Sequence, residues 1–91
     1  MKDIVGNDIS AGDFIVASVP NYTQVLVGMV IKVSPKSVLY LCITEEAEKE
    51  KSAGWMTHRT YSAYKIADVS EDMRQRADRI SKRYVELGGV I

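Results

Sequence analysis

Thr23-Gln-Val-Leu-Val-Gly-Met-Val-Ile-Lys-Val33 is the stretch on which the fold turns. Strict alternation puts Val25, Val27, Met29, Ile31 and Val33 on one face and Leu26, Gly28 and Val30 on the other. Both faces are largely apolar, so the strand needs cover on both sides or a partner subunit. Gly28 in mid-strand predicts a bend, a bulge or a close backbone approach. Ser34-Pro35-Lys36-Ser37 reads as a tight turn. Ser37 to Thr44 returns as a second strand, with Leu39, Leu41 and Ile43 on one face and Val38, Tyr40 and Cys42 on the other. The two segments predict a β-hairpin.

Upstream, Asp8 to Asp13 is turn-rich and feeds Phe14 to Val19, an apolar strand that Pro20 ends. Pro20, Asn21 and Tyr22 read as a loop. Downstream, Glu45 to Gly54 is charged, and either a short helix capped by Thr44 or a solvated loop fits it. Trp55 to Tyr61 is β-prone, and Tyr64 to Ala67 reads as a closing strand. From Ser70 the period changes. Ser70 is a good N-cap, and Glu71 and Asp72 suit the positive end of a helix dipole. Met73, Ala77, Ile80, Tyr84 and Leu87 then form an apolar stripe, and Gly88-Gly89 ends the helix.

Ninety-one residues, 46% of them hydrophobic, predict a single domain over 1–91, with a sheet over 8–67 and a helix over 70–87. Twelve basic and twelve acidic side chains cancel, which argues against a dedicated nucleic-acid binder. The lone Cys42 can form no internal disulfide. The first residues lack the apolar run of a signal peptide, and no segment approaches the roughly 20 apolar residues that span a bilayer. A cytoplasmic address without membrane contact is the expectation.

Gly12-Asp13-Phe14-Ile15-Val16 opens a strand, Gly28-Met29-Val30-Ile31-Lys32 follows, and Pro35-Lys36-Ser37-Val38 turns into the next. These motifs resemble the small SH3-like barrels found among uncharacterised early and accessory proteins of tailed bacteriophages. They are similar, more distantly, to KOW-type barrels of transcription and ribosomal factors. The late Tyr64-Lys65-Ile66 resembles the closing strand of the phage proteins, and the resemblance covers roughly residues 8 to 67. It implies a mainly β (α+β) fold, a five-stranded SH3-like barrel followed by a C-terminal helix. The helix departs from a minimal barrel.

No catalytic constellation stands out. Cys42 with His58 lacks a third orienting group, and a cysteine in an apolar strand behaves as a small hydrophobe. One His and one Cys are too few for structural zinc, and the acidic run has no calcium-loop spacing. Neither a cofactor nor a metal is expected. The candidate binding residues fall in two groups. Trp55, His58, Arg59 and Tyr61, joined by Tyr22, suit recognition if exposed. As strand residues, Trp55 and Tyr61 are expected first in the core. On the helix, Arg76, Arg79 and Arg83 line one side and suit a phosphate or an acidic protein, although interleaved acids leave that helix with one net positive charge.

The expectation is a non-enzymatic binding protein, a phage-encoded accessory factor in the bacterial cytoplasm that occupies a surface of a host or viral protein. Nucleic-acid binding through the aromatic cluster with Lys32, Lys36 and Lys65 is the alternative, and sequestration of a small molecule such as a nucleotide by an oligomer is a third. The two-sided strand, the helical stripe and the tail Val90-Ile91 also predict a homo-oligomer, most simply a dimer.

Overall fold

A computed structural model of the chain describes residues 2–3, 6–18 and 25–91. Five strands form one antiparallel sheet: β1 (Phe14–Ser18), β2 (Val25–Val33), β3 (Val38–Cys42), β4 (Thr57–Thr60) and β5 (Ala63–Lys65), in the order β4-β3-β2-β1-β5. A short helix α1 (Glu45–Glu48) and a 3-10 turn at Ala53–Trp55 lie between β3 and β4, and a long helix α2 (Glu71–Glu86) follows β5. The chain is therefore mainly β with one C-terminal helix, as its period predicts. The charged segment after Thr44 takes the helical of its two readings.

The edge strands β4 and β5 are joined by Tyr61 and Ser62 alone. A flat sheet would separate them by four strand spacings, about 19 Å. Three Cα steps from Thr60 to Ala63 reach about 11 Å at most. The sheet must therefore curl. It does not close into the expected barrel, because β4 and β5 share no ladder.

Register decides the two faces. Ile15, Ala17, Gly28, Val30, Val38, Tyr40, Cys42, Thr60 and Ala63 share the inner face and are buried. On the outer face lie Phe14, Val16, Val27, Met29, Leu39, Leu41, Thr57, Arg59 and Tyr64. Gly28 takes the last of its three predicted roles. A Cβ there would stand 2.2 Å from Tyr40 Cδ2 and 3.0 Å from the Leu41 carbonyl oxygen, so glycine admits the Tyr40 ring over β2.

The bulge falls three residues later. Val30 faces Tyr40, yet Lys32 faces Leu39, leaving Ile31 as the extra residue. This corrects the simple alternation. Val33 joins Val30 on the inner face, and Lys32 turns outward beside Met29.

Helix α2 begins at Ser70, whose Oγ accepts the Met73 N–H at 3.2 Å. It ends where Gly88 takes φ +96° and the Gly88 and Gly89 N–H groups donate to Val85 O and Tyr84 O. Its stripe is used within the chain: Ala77, Ile80 and Tyr84 are buried in the same core as the strands, with Met73 and Leu87 packed against it. Met73 shares a groove with Val27 and Ile43, which sets the helix against one end of the outer face.

Candidate binding surface

The acidic run and the basic helix face each other. Arg79 Nη2 lies 3.2 Å from Glu48 Oε1, and Arg83 donates from Nε and Nη2 to the Glu50 carbonyl at 2.9 and 2.6 Å. Arg76 is likewise engaged, and it lines the groove beside Ser70 and Thr44. The predicted phosphate-binding side of α2 is thus largely taken up in tying residues 45–50 to the helix. Lys82 pairs with Asp78 at 3.2 Å, one turn away.

Trp55 and Tyr61 are 74% and 72% exposed, which overturns their expected place in the core. The inner face is filled without them. Met56, between the turn and β4, is the residue that goes inside, with no exposure. Trp55 ends the 3-10 turn two residues before β4, and Tyr61 follows directly on the end of the strand, six residues further along the chain. Between them His58 and Arg59 point to opposite faces. His58 is half-buried on the inner side, its ring centroid 6.0 Å from that of Tyr40. Arg59 points outward, exposed, and its Nη1 donates to Ser37 Oγ at 2.8 Å. The four residues therefore make a margin along β4 rather than one cluster. Tyr22 and Asn21 lie outside the described residues.

This margin is also an open edge. The Cys42 N–H donates to Met56 O, which sets the ladder so that the main chain of Thr57 and Arg59 points away from β3. No hydrogen bond among the described residues meets those outward groups. At the opposite edge the outward Lys65 N–H is capped. Asp3, buried at the N-terminus, accepts the outward Lys65 N–H at 3.0 Å and the Asn7 N–H at 2.7 Å. Sequence reading missed Asp3, because its partner lies 62 residues away. Local pattern shows only an Asp-x-x-x-Asn pair, whose turn the Lys2–Asp8 bridge closes.

The family model described as Domain of unknown function (DUF7205) matches residues 1–69. The chain belongs to the DUF7205 family. The DUF7205 match takes in Asp3, all five strands and the β4 margin, and it stops at Val69, just before the cap of α2. No curated protein and no solved structure matches the chain.

Cys42 and His58 both point to the inner face, but burial pushes the Cys42 thiol up to about 12. A thiol so placed is protonated at neutral pH and is a poor nucleophile. Tyr40, on the same face, is pushed up to about 12 by burial and then by its neighbour Cys42, and its hydroxyl has no hydrogen-bond partner. Among the described residues, no group of three or more His, Cys, Asp or Glu side chains could hold a metal ion, and no helix is long and apolar enough to cross a membrane. The groove at the start of α2, about 400 Å³, is lined by Val27, Ile43, Met73 and the polar Thr44, Ser70, Asp72 and Arg76.

Proposed function

We propose that the protein is a non-catalytic binding module that acts by occupying a macromolecular partner through the β4 margin. The observation that carries this reading is the exposure of Trp55, in the turn before β4, and Tyr61, directly after it, on either side of an edge strand that has no cap among the described residues. Large aromatic rings left in water cost solubility and are concentrated where a partner buries them. An open edge adds main-chain groups that an extended partner can pair. The likeness of the Gly12-Asp13 and Pro35-Lys36 motifs to small tailed-phage barrels supports an accessory role in the bacterial cytoplasm.

The test is affinity capture from bacterial lysate with wild-type bait and with a Trp55→Ala/Tyr61→Ala double variant. A partner retained by the first and lost by the second is the expected result. Equal recovery by both baits, or the bait alone from each, overturns the reading.

Self-association is proposed on a narrower basis. The β2 strand and the helical stripe both pack within the chain, Val30, Ala77, Ile80 and Tyr84 being buried and Val27, Met29, Met73 and Leu87 partly so. The exposed tail Val90-Ile91, together with Val85, remains to bring two copies together.

A further inference from the structure

Overall neutrality conceals a segregation of charge. Residues 14–44 and 51–67 contain no Asp or Glu, and they hold Lys32, Lys36, Lys51, Arg59 and Lys65. Every acid lies before β1, in the Glu45–Glu50 run or from Asp68 onward. The acids near a cation are already engaged: Glu48 with Arg79, Asp78 with Lys82, and Asp13 with Lys65 at 3.4 Å. Asp13, which adjoins Val30 in the ladder, also accepts the Ser10 N–H at 2.8 Å. Among the described residues, Lys32, Lys36 and Arg59 have no carboxylate partner.

The bulge at Ile31 assembles these cations. By turning Lys32 outward it creates one cross-strand row, Lys32–Leu39–Arg59, over β2, β3 and β4. Lys32 and Arg59 then flank Leu39 at two strand spacings, about 10 Å apart. Arg59 is held at the β2–β3 turn by Ser37, one residue from Lys36. Helix α2 approaches the other end of the outer face, beside Val27 and Ile43, and Leu39 here is only partly buried. Tyr61 follows directly on β4, and Trp55 ends the 3-10 turn that precedes the same strand by one residue, Met56.

We propose, resting on the β4 margin as the docking surface, that its partner is a single-stranded nucleic acid. Lys32, Lys36 and Arg59 hold phosphates, and Tyr61 and Trp55 stack on bases. Flat exposed rings beside cations unopposed by acids are what a strand of phosphates and bases uses without sequence preference. An acidic peptide would match the cations but leave the rings with little to stack on.

Trp55 is the sole tryptophan, so its fluorescence reports stacking directly. A labelled oligothymidylate of about fifteen nucleotides is titrated into the full chain at low salt, reading both anisotropy and Trp55 quenching. Binding with quenching is expected, and log affinity should fall against log salt with a slope of about −2, as three phosphate contacts on a single strand require. Lys32→Glu/Arg59→Glu should weaken binding at least roughly tenfold. Tyr61→Ala should weaken it by roughly fivefold or more. Lys82→Glu, on the helix, should leave it unchanged, with circular dichroism confirming that each variant is folded. No binding at low salt, or equal losses from the sheet and helix variants, overturns the proposal. Polyglutamate that quenches Trp55 and displaces the oligonucleotide as well as oligothymidylate does also overturns it, while leaving the β4 margin as a docking surface. Loss of lysate capture as well would bring down the docking surface itself.

Discussion

The two margins of the sheet are built from the same kind of element and end differently. β5 and β4 are both short edge strands with a basic residue near the end, Lys65 and Arg59. At β5 the outward N–H is taken by buried Asp3, and the Lys65 side chain is tied to Asp13 and to the Asp8 carbonyl. At β4 the outward main chain meets no hydrogen bond among the described residues, Arg59 donates to a serine hydroxyl, and two large rings stand in water. Edge strands are ordinarily protected from pairing with other chains. Asp3 protects one margin at Lys65 and the other shows no such cap among the described residues, and that difference is the ground on which the second is proposed as the docking surface.

Substitutions should separate the two margins. Asp3→Ala leaves the Lys65 and Asn7 N–H groups without their acceptor and should cost about 3 kcal/mol in urea unfolding, with the affinity of the folded fraction unchanged. A loss below about 0.5 kcal/mol would remove the structural role assigned to that edge. Between the margins, Gly28→Ala drives a Cβ into the Tyr40 ring and should cost about 2 kcal/mol. Thermal unfolding that matches wild type would show that β2 and β3 can shift apart at no cost.

The interior also responds to alkali. The buried Cys42 thiol and Tyr40 hydroxyl are held neutral, with values raised from 9.0 and 10.0 to about 12. In the unfolded chain both lose their protons first as pH rises. Their neutral forms therefore favour the fold fully below about pH 9, and that contribution is lost progressively toward pH 12. Urea midpoints measured across this window should fall less steeply in Cys42→Val and Tyr40→Phe. Below the window Tyr40→Phe should be neutral or stabilising by about 1 kcal/mol, since it deletes a buried hydroxyl with no partner.

At the β4 margin, Trp55→Ala and Tyr61→Ala should each change stability by less than about 0.5 kcal/mol while abolishing partner capture. Destabilisation as large as that of Asp3→Ala would return both rings to a packing role. The smallest expected effect is at the tail. Deleting Val90 and Ile91, which are 83% and 61% exposed, should leave stability unchanged. Light scattering should then show a mass reduced from dimer to monomer, and a wild-type monomer at high concentration would end the dimer proposal.

Much of the fold is legible from local pattern. The strand Val25–Val33 and its return after Pro35 follow from a period of two, and α2 follows from Ser70, the stripe from Met73 to Leu87 and Gly88. The candidate site was legible in composition only. Trp55, Arg59 and Tyr61 could be named, but whether such rings pack or face water depends on what else fills the inner face, and Met56 fills it. Arg79 and Arg83 could be named too, yet their engagement depends on where the Glu45–Glu50 segment comes to rest.

Alternation, capping and glycine placement are properties of neighbours along the chain, so the sequence alone determined that a five-stranded ribbon is followed by an amphipathic helix. Tertiary structure decided the rest: the slip at Ile31 that aligns Lys32 with Arg59, the carboxylate of Asp3 at a strand 62 residues away, and the exposure of Trp55. Each depends on the register or burial of segments distant in the chain. Ladder pairing and packing settle such features collectively, and no local window contains them.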